Sequence, residues 1–171
     1  MVNESNKQRA ADIAAILQGY ITGGGIKHYV EPFARNFDVI ANIKCGNRLA
    51  NNGDSDVCDR LERTRHTARG VLVGCCRYWQ LRLPRRERAL IFCSPPPSLL
   101  RWRKPRKSFW RWCRRQARLG HIVIVRAWDA PPDFVQIWEH EYLRVVINGK
   151  IEIAKSDKIY IYGGVENGKN H

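Results

Sequence analysis

Apolar residues recur on helical spacing at Ala10, Ala11, Ile13, Ala14, Ile16 and Leu17, behind a start in which Ser5 is followed three residues later by Gln8. The pattern predicts an N-terminal helix reaching Gly19. Gly23, Gly24 and Gly25 then break the chain and read as a flexible connector. Lys27 follows them, but the phosphate-cradling spacing G-x-x-x-x-G-K-[ST] is absent. Phe37, Val39, Ala41 and Ile43 alternate and predict a strand over 37–43, although Ile40 interrupts its polar face. The Asn- and Gly-rich run 46–55 predicts a loop. Val57, Cys58, Leu61, Thr64 and Ala68, spaced by three and four residues, predict a helix over 56–69 with Asp54 or Ser55 as its cap.

Residues 71–83 lean towards strand, with Trp79, Leu81 and Leu83 alternating at the end. Pro84 is placed to open a short helix over 85–93, which the run Pro95-Pro96-Pro97 must stop. Pro105 suits the first position of another helix and Gly120 the residue just beyond its end. After Gly120 the pattern turns to β-branched residues. It predicts strands over 121–128, 134–139 and 142–147, a hairpin turn at Asn148-Gly149, a further turn at Ser156-Asp157, and a last strand over 159–162. These elements together predict an α+β fold, with N-terminal helices and a basic amphipathic helix packed on a C-terminal antiparallel sheet. Residues 1–171 are read as a single domain, divided into a helical and basic part over 1–119, a β-meander over 120–163 and a frayed tail over 164–171.

Charge sharpens this picture because it is unevenly placed. The chain has 30 Lys and Arg against 16 Asp and Glu, a net charge of +14. Residues 60–118 alone carry +16 and the remainder sums to −2; Glu62 and Glu87 are the only acids in that block, and Arg far outnumbers Lys there. A local block of one sign repels itself and calls for an anionic partner, and guanidinium grips phosphate bidentately and stacks on bases. On a helix starting at Pro105, Lys107, Arg111, Arg114, Arg115 and Arg118 gather on one arc, and Phe109, Trp112, Cys113, Ala117 and Leu119 on the other. Arg101, Trp102, Arg103 and Lys104 precede it, and Trp102 and Trp110 lie off the buried arc. The sequence therefore favours a non-enzymatic nucleic-acid-binding protein, RNA or DNA, with these residues as its contact surface and no cofactor.

Two alternatives compete with this reading. A helix rich in Trp and Arg can lie flat on anionic lipid. A small metal-dependent nuclease would draw Mg²⁺ ligands from Asp129, Asp133, Glu139 and Glu141, although no acid-x-Lys strand signature follows Asp133. Cys45, Cys58, His66 and Cys75 supply ligand types that suit tetrahedral zinc, but no C-x-x-C knuckle joins them. The six cysteines have no spacing of a secreted disulfide framework and no apolar leader precedes them, so a reducing interior, cytoplasm or nucleus, is expected. No apolar run reaches the roughly 18 residues that span a bilayer.

Overall fold

A computed structural model describes residues 4–84, 86–100, 108–147 and 150–163. Side chains are described outside 4–6, 108 and 142–155. The chain begins with α1 (Glu4–Gly23), followed by β1 (His28–Glu31), a 3-10 turn over Ile40–Asn42 and β2 (Asn47–Asn52). Then come α2 (Ser55–Thr64), β3 (Val71–Cys75), a 3-10 turn over Tyr78–Gln80 and β4 (Ala89–Cys93). After a 3-10 turn over Pro97–Leu99 follow α3 (Ser108–Arg118), β5 (Ile122–Ala127), β6 (Phe134–Ile147) and β7 (Lys150–Tyr162).

The strands form one seven-stranded sheet in the order β3-β2-β1-β4-β5-β7-β6. β1 runs parallel to both β2 and β4, and β2 runs parallel to β3. β7 runs antiparallel to β5 and β6. This mixed sheet corrects the expected arrangement of helices packed on an antiparallel meander. Four of the seven strands lie in the part of the chain read as helical and basic. Backbone contacts divide the chain into two compact units, Met1–Phe92 and Cys93–His171.

The corrections have physical causes. β4 was expected to be helical, yet Ala89, Leu90, Ile91, Phe92 and Cys93 are all buried. A strand covered on both faces reads as an unbroken apolar run, which periodicity alone cannot separate from a buried helix turn. β2 occupies the stretch expected to be a loop, because Asn51 and Asn52 look like turn chemistry but use their amides to bond neighbouring loops. The strand expected over 37–43 is a bend and a 3-10 turn, in which Phe37, Ile40 and Ile43 point inward. Ser156-Asp157 makes no turn, since β7 runs through it, and the two strands expected over 134–147 are one strand with irregularities. The hairpin turn at Asn148-Gly149 and the tail over 164–171 lie outside the described residues.

Within the first unit, α1 buries Ile13, Leu17 and Ile21. The Gln18 amide donates to the Lys44 carbonyl at 3.1 Å and accepts from the Lys44 N–H at 2.8 Å, tying α1 to the segment that enters β2. α2 starts where the sequence predicts: the Asp54 carboxylate accepts from the Asp56 and Val57 N–H groups, satisfying donors that a helix start leaves orphaned. In the second unit, α3 turns Phe109, Trp110, Trp112 and Cys113 inward. Trp110 meets Phe134 edge-on, ring centroids 4.8 Å apart, and its Nε1–H donates to the Leu100 carbonyl at 3.4 Å.

Candidate functional site

Parallel strands present their carboxyl ends on one edge, and open sheets of this kind bind ligands outside that edge where the strand order reverses. Here the reversal falls at β1, which has β2 on one side and β4 on the other. The last residue of β1 is Glu31, an acid only 7% exposed. The Tyr29 hydroxyl, two residues back on the same face of the strand, donates to its Oε1 at 2.7 Å. Burial pushes the Glu31 carboxyl up to about 7, the Tyr29 hydrogen bond pulls it back and the nearby Asp38 charge adds to the rise. A carboxyl so placed changes charge near neutrality, and such groups concentrate at functional sites.

The loop after Glu31 is held by the end of β2. The Ala34 N–H donates to the Asn51 carbonyl at 2.9 Å, and the Asn52 amide donates to the Ala34 carbonyl at 2.8 Å. Asn51, fully buried, donates to the carbonyls of Pro32 at 3.2 Å and Cys76 at 2.8 Å and accepts from the Cys76 N–H at 3.2 Å. One side chain thus joins the loops that follow β1 and β3. Gly74 is required beside it, since a Cβ there would come within 2.8 Å of Asn51 Oδ1. Phe33 reaches from the first loop to Tyr78 in the second, ring centroids 5.2 Å apart. Asp54, two residues beyond the end of β2, is exposed. Glu31, Phe33, Asn51, Asn52, Asp54 and Tyr78 therefore share the carboxyl edge of the first unit.

None of these six belonged to the contact surface or ligand sets expected from sequence. The available signal was weak: an acid before proline at the end of an apolar pair, and an Asn-Asn step before a cap.

The residues singled out from sequence are distributed otherwise. Arg101, Trp102, Arg103, Lys104 and Lys107 lie outside the described residues. Arg111, Arg115 and Arg118 are exposed on α3, but Trp110 is 1% exposed and packed in the core, so it is not open to stack on a base. Arg114 does not stand free either. Its guanidinium forks onto Asp133 with bonds of 2.5 and 2.7 Å, so an expected phosphate contact and an expected metal ligand neutralise each other. That pairing lowers the Asp133 pKa and raises that of Arg114.

The remaining acids do not converge. The Asp129 carboxylate accepts from the Ala130 N–H, Glu139 faces Lys158 and Gln136, and Glu141 is exposed on β6. Of the zinc candidates, the Cys45 thiol faces the Ile26 carbonyl and His66 is exposed in the 3-10 turn after α2. Burial, with the neighbouring Cys75 thiol as a lesser cause, pushes Cys58 up to about 12, which keeps it a thiol. Among the described residues, no group of three or more His, Cys, Asp or Glu is placed to hold a metal ion.

No family model and no curated protein matches the sequence. Solved structures do match the fold. The N-methyltransferase NodS from Bradyrhizobium japonicum superposes with a TM-score of 0.61 at 7% identity, covering 95% of this chain and 98% of that one. An RNA methyltransferase from Salinibacter ruber, solved in complex with S-adenosyl-L-homocysteine, gives 0.50 at 12% identity over 100% of this chain and 97% of its own. The tRNA methyltransferase TrmI from Aquifex aeolicus gives 0.53 at 10% identity over 90% of this chain and 67% of its own. The fold is that of Rossmann-like methyltransferases. This likeness corrects the expectation of a non-enzymatic nucleic-acid binder built around one basic helix, since the solved structures that share the fold are methyltransferases. Within its own unit the helix packs on β5 and β7. Among the described residues no helix is long and apolar enough to cross a membrane.

Proposed function

We propose that this chain is a methyltransferase that holds an S-adenosyl cofactor on the carboxyl edge of β1 and β2 and acts on a nucleic acid. The observation that carries the reading is the buried Glu31 carboxyl at the point where the strand order reverses.

The side chains on that edge suit such a cofactor. It is cationic at its sulfonium and amino groups, and Glu31 offers a buried carboxylate to its cationic end. The exposed Asp54, 23 residues beyond Glu31, stands where an acid commonly takes a ribose hydroxyl. Phe33 and Tyr78 supply apolar ring surface. No glycine occurs between Glu31 and Gly46, and both polar backbone groups of Ala34 are committed to β2. That excludes a glycine cradle for pyrophosphate, which a dinucleotide needs and a phosphate-free S-adenosyl group does not. When bound, the cofactor supplies an electrophilic methyl group. The residues of the chain bind and orient: Glu31 holds positive charge, Asn51 and Asn52 fix the loop that carries Phe33, and Asp54 keeps one function as helix cap while offering the carboxylate to solvent.

The net charge of +14 supports a nucleic-acid acceptor, since phosphate contacts are the usual outlet for unpaired guanidinium groups. Incubation of the protein with methyl-labelled S-adenosylmethionine and pools of RNA or DNA tests the reaction. Label in the polymer that disappears with Glu31→Ala is the expected result; binding of neither cofactor nor label by the wild-type chain removes the proposal.

A further inference from the structure

One aromatic side chain beside this edge leaves more than half of its surface open to solvent. Trp79 is 54% exposed, whereas Tyr29, Phe37, Tyr78 and Phe92 in the same unit are buried. A single exposed apolar residue is ordinary, and Leu72 is another. Trp79 differs because it is held in place. It meets the buried Tyr78 ring edge-on, centroids 4.9 Å apart at 88°, and Tyr78 in turn tilts onto Phe33. The Arg77 guanidinium lies 5.2 Å from the centroid of the Trp79 ring. The turn that carries both is closed by the Arg77 N–H donating to Gln80 Oε1 at 3.1 Å and the Gln80 N–H donating to the Arg77 carbonyl at 2.8 Å. The backbone of Arg77 passes close to Gly53 at the end of β2, so the ring sits next to the candidate cofactor edge.

Along the sequence the charge beside it is one-sided: residues 77–88 hold five arginines and a single acid, Glu87. The Glu87 carboxylate is held by His28 and Lys27. A preorganised aromatic plane with a cation on it, in an arginine-rich stretch, fits a nucleobase and its phosphate. A base inside a duplex has no free face to offer, so the ligand must be unpaired.

We propose that Trp79 is a stacking platform for an unpaired base of a single-stranded nucleic acid, with Arg77 and Arg82 taking the adjoining phosphates. This names the substrate class of the methyltransferase reading and rests on it. Preorganisation matters here because the ring loses little freedom on binding.

The test uses the full chain and fluorescently labelled 20-nucleotide RNA and DNA, single-stranded and as duplexes of the same sequence. Trp79→Ala is expected to weaken single-strand binding about tenfold and duplex binding less than twofold, and Trp79→Phe to restore most of the loss. Arg77→Gln is expected to flatten the single-strand salt dependence by about 0.7 in log K per log salt, one phosphate's worth. The thermal midpoint of Trp79→Ala should stay at the wild-type value, since the ring is exposed. S-adenosyl-L-homocysteine affinity should also stay unchanged, and this separates the two proposals: stacking can hold while cofactor binding fails, and the reverse. Equal losses on single strand and duplex, no loss with Trp79→Ala, absence of single-strand binding by the wild type, or a loss confined to S-adenosyl-L-homocysteine would each overturn the platform.

Discussion

Glu31→Gln is expected to stabilise the protein at pH 8 and to leave its stability unchanged at pH 4. The folded carboxyl titrates at about 7 against 4.5 for the free group, chiefly because it is buried. Below pH 4.5 the carboxyl is protonated in both the folded and unfolded chain, and it contributes no pH dependence. Between 4.5 and 7 the folded state binds more protons than the unfolded state, so stability falls as pH rises, and above 7 the full cost of a buried charge remains. A pKa rise of that size is worth about 3 kcal/mol. Glutamine keeps the shape and the acceptor for the Tyr29 hydroxyl without that charge. Thermal unfolding at the two pH values checks the difference, expected as roughly 6–12 °C at pH 8 for a chain of this size. An equal shift at both would mean that packing, not ionisation, sets the effect.

Asn51→Ala is expected to be the most damaging single change on the carboxyl edge. The side chain is fully buried and makes three hydrogen bonds to backbone groups of two loops. Alanine leaves the Pro32 carbonyl and the Cys76 N–H and carbonyl without those partners. At about 1–3 kcal/mol for each buried group left unsatisfied, and with partial relaxation, the expected loss is about 4 kcal/mol. In urea this is a midpoint lower by roughly 2 M. Asn51→Asp separates geometry from volume: it keeps the acceptor for the Cys76 N–H but loses both donated bonds and buries a charge, so it should be no better than alanine. If alanine costs less than about 1 kcal/mol, the two loops are not held through this amide.

The elements legible in sequence were those whose pattern is local. α1, α2 with its Asp54 cap, and α3 with its buried and cationic faces follow from spacing and capping chemistry, and β5 from a β-branched run. The sheet order was not legible, because parallel pairing joins strands far apart in sequence and leaves no hairpin signal between them. β1 has four residues and ends in a buried acid, and β2 ends in two asparagines, so each looked like a connection. The candidate site was missed for the same reason. Its polar residues break strand patterns at the point where strands end, which is where such a sheet binds ligands. The arginine block drew the reading towards α3, whereas Arg114 turned out to be matched by Asp133 and Trp110 to be core.

The account stands on Glu31 meeting a cationic ligand, and a calorimetric titration with S-adenosyl-L-homocysteine tests this most directly. A carboxyl half-protonated near pH 7 that pairs with the ligand's ammonium must release about half a proton on binding there, and affinity should rise about tenfold from pH 6 to pH 8. Repeating the titration in buffers of different ionisation enthalpy reads the proton count, and Glu31→Gln should abolish both the release and the pH dependence. Binding with no proton release and the same affinity in Glu31→Gln, or no binding at either pH, would contradict it.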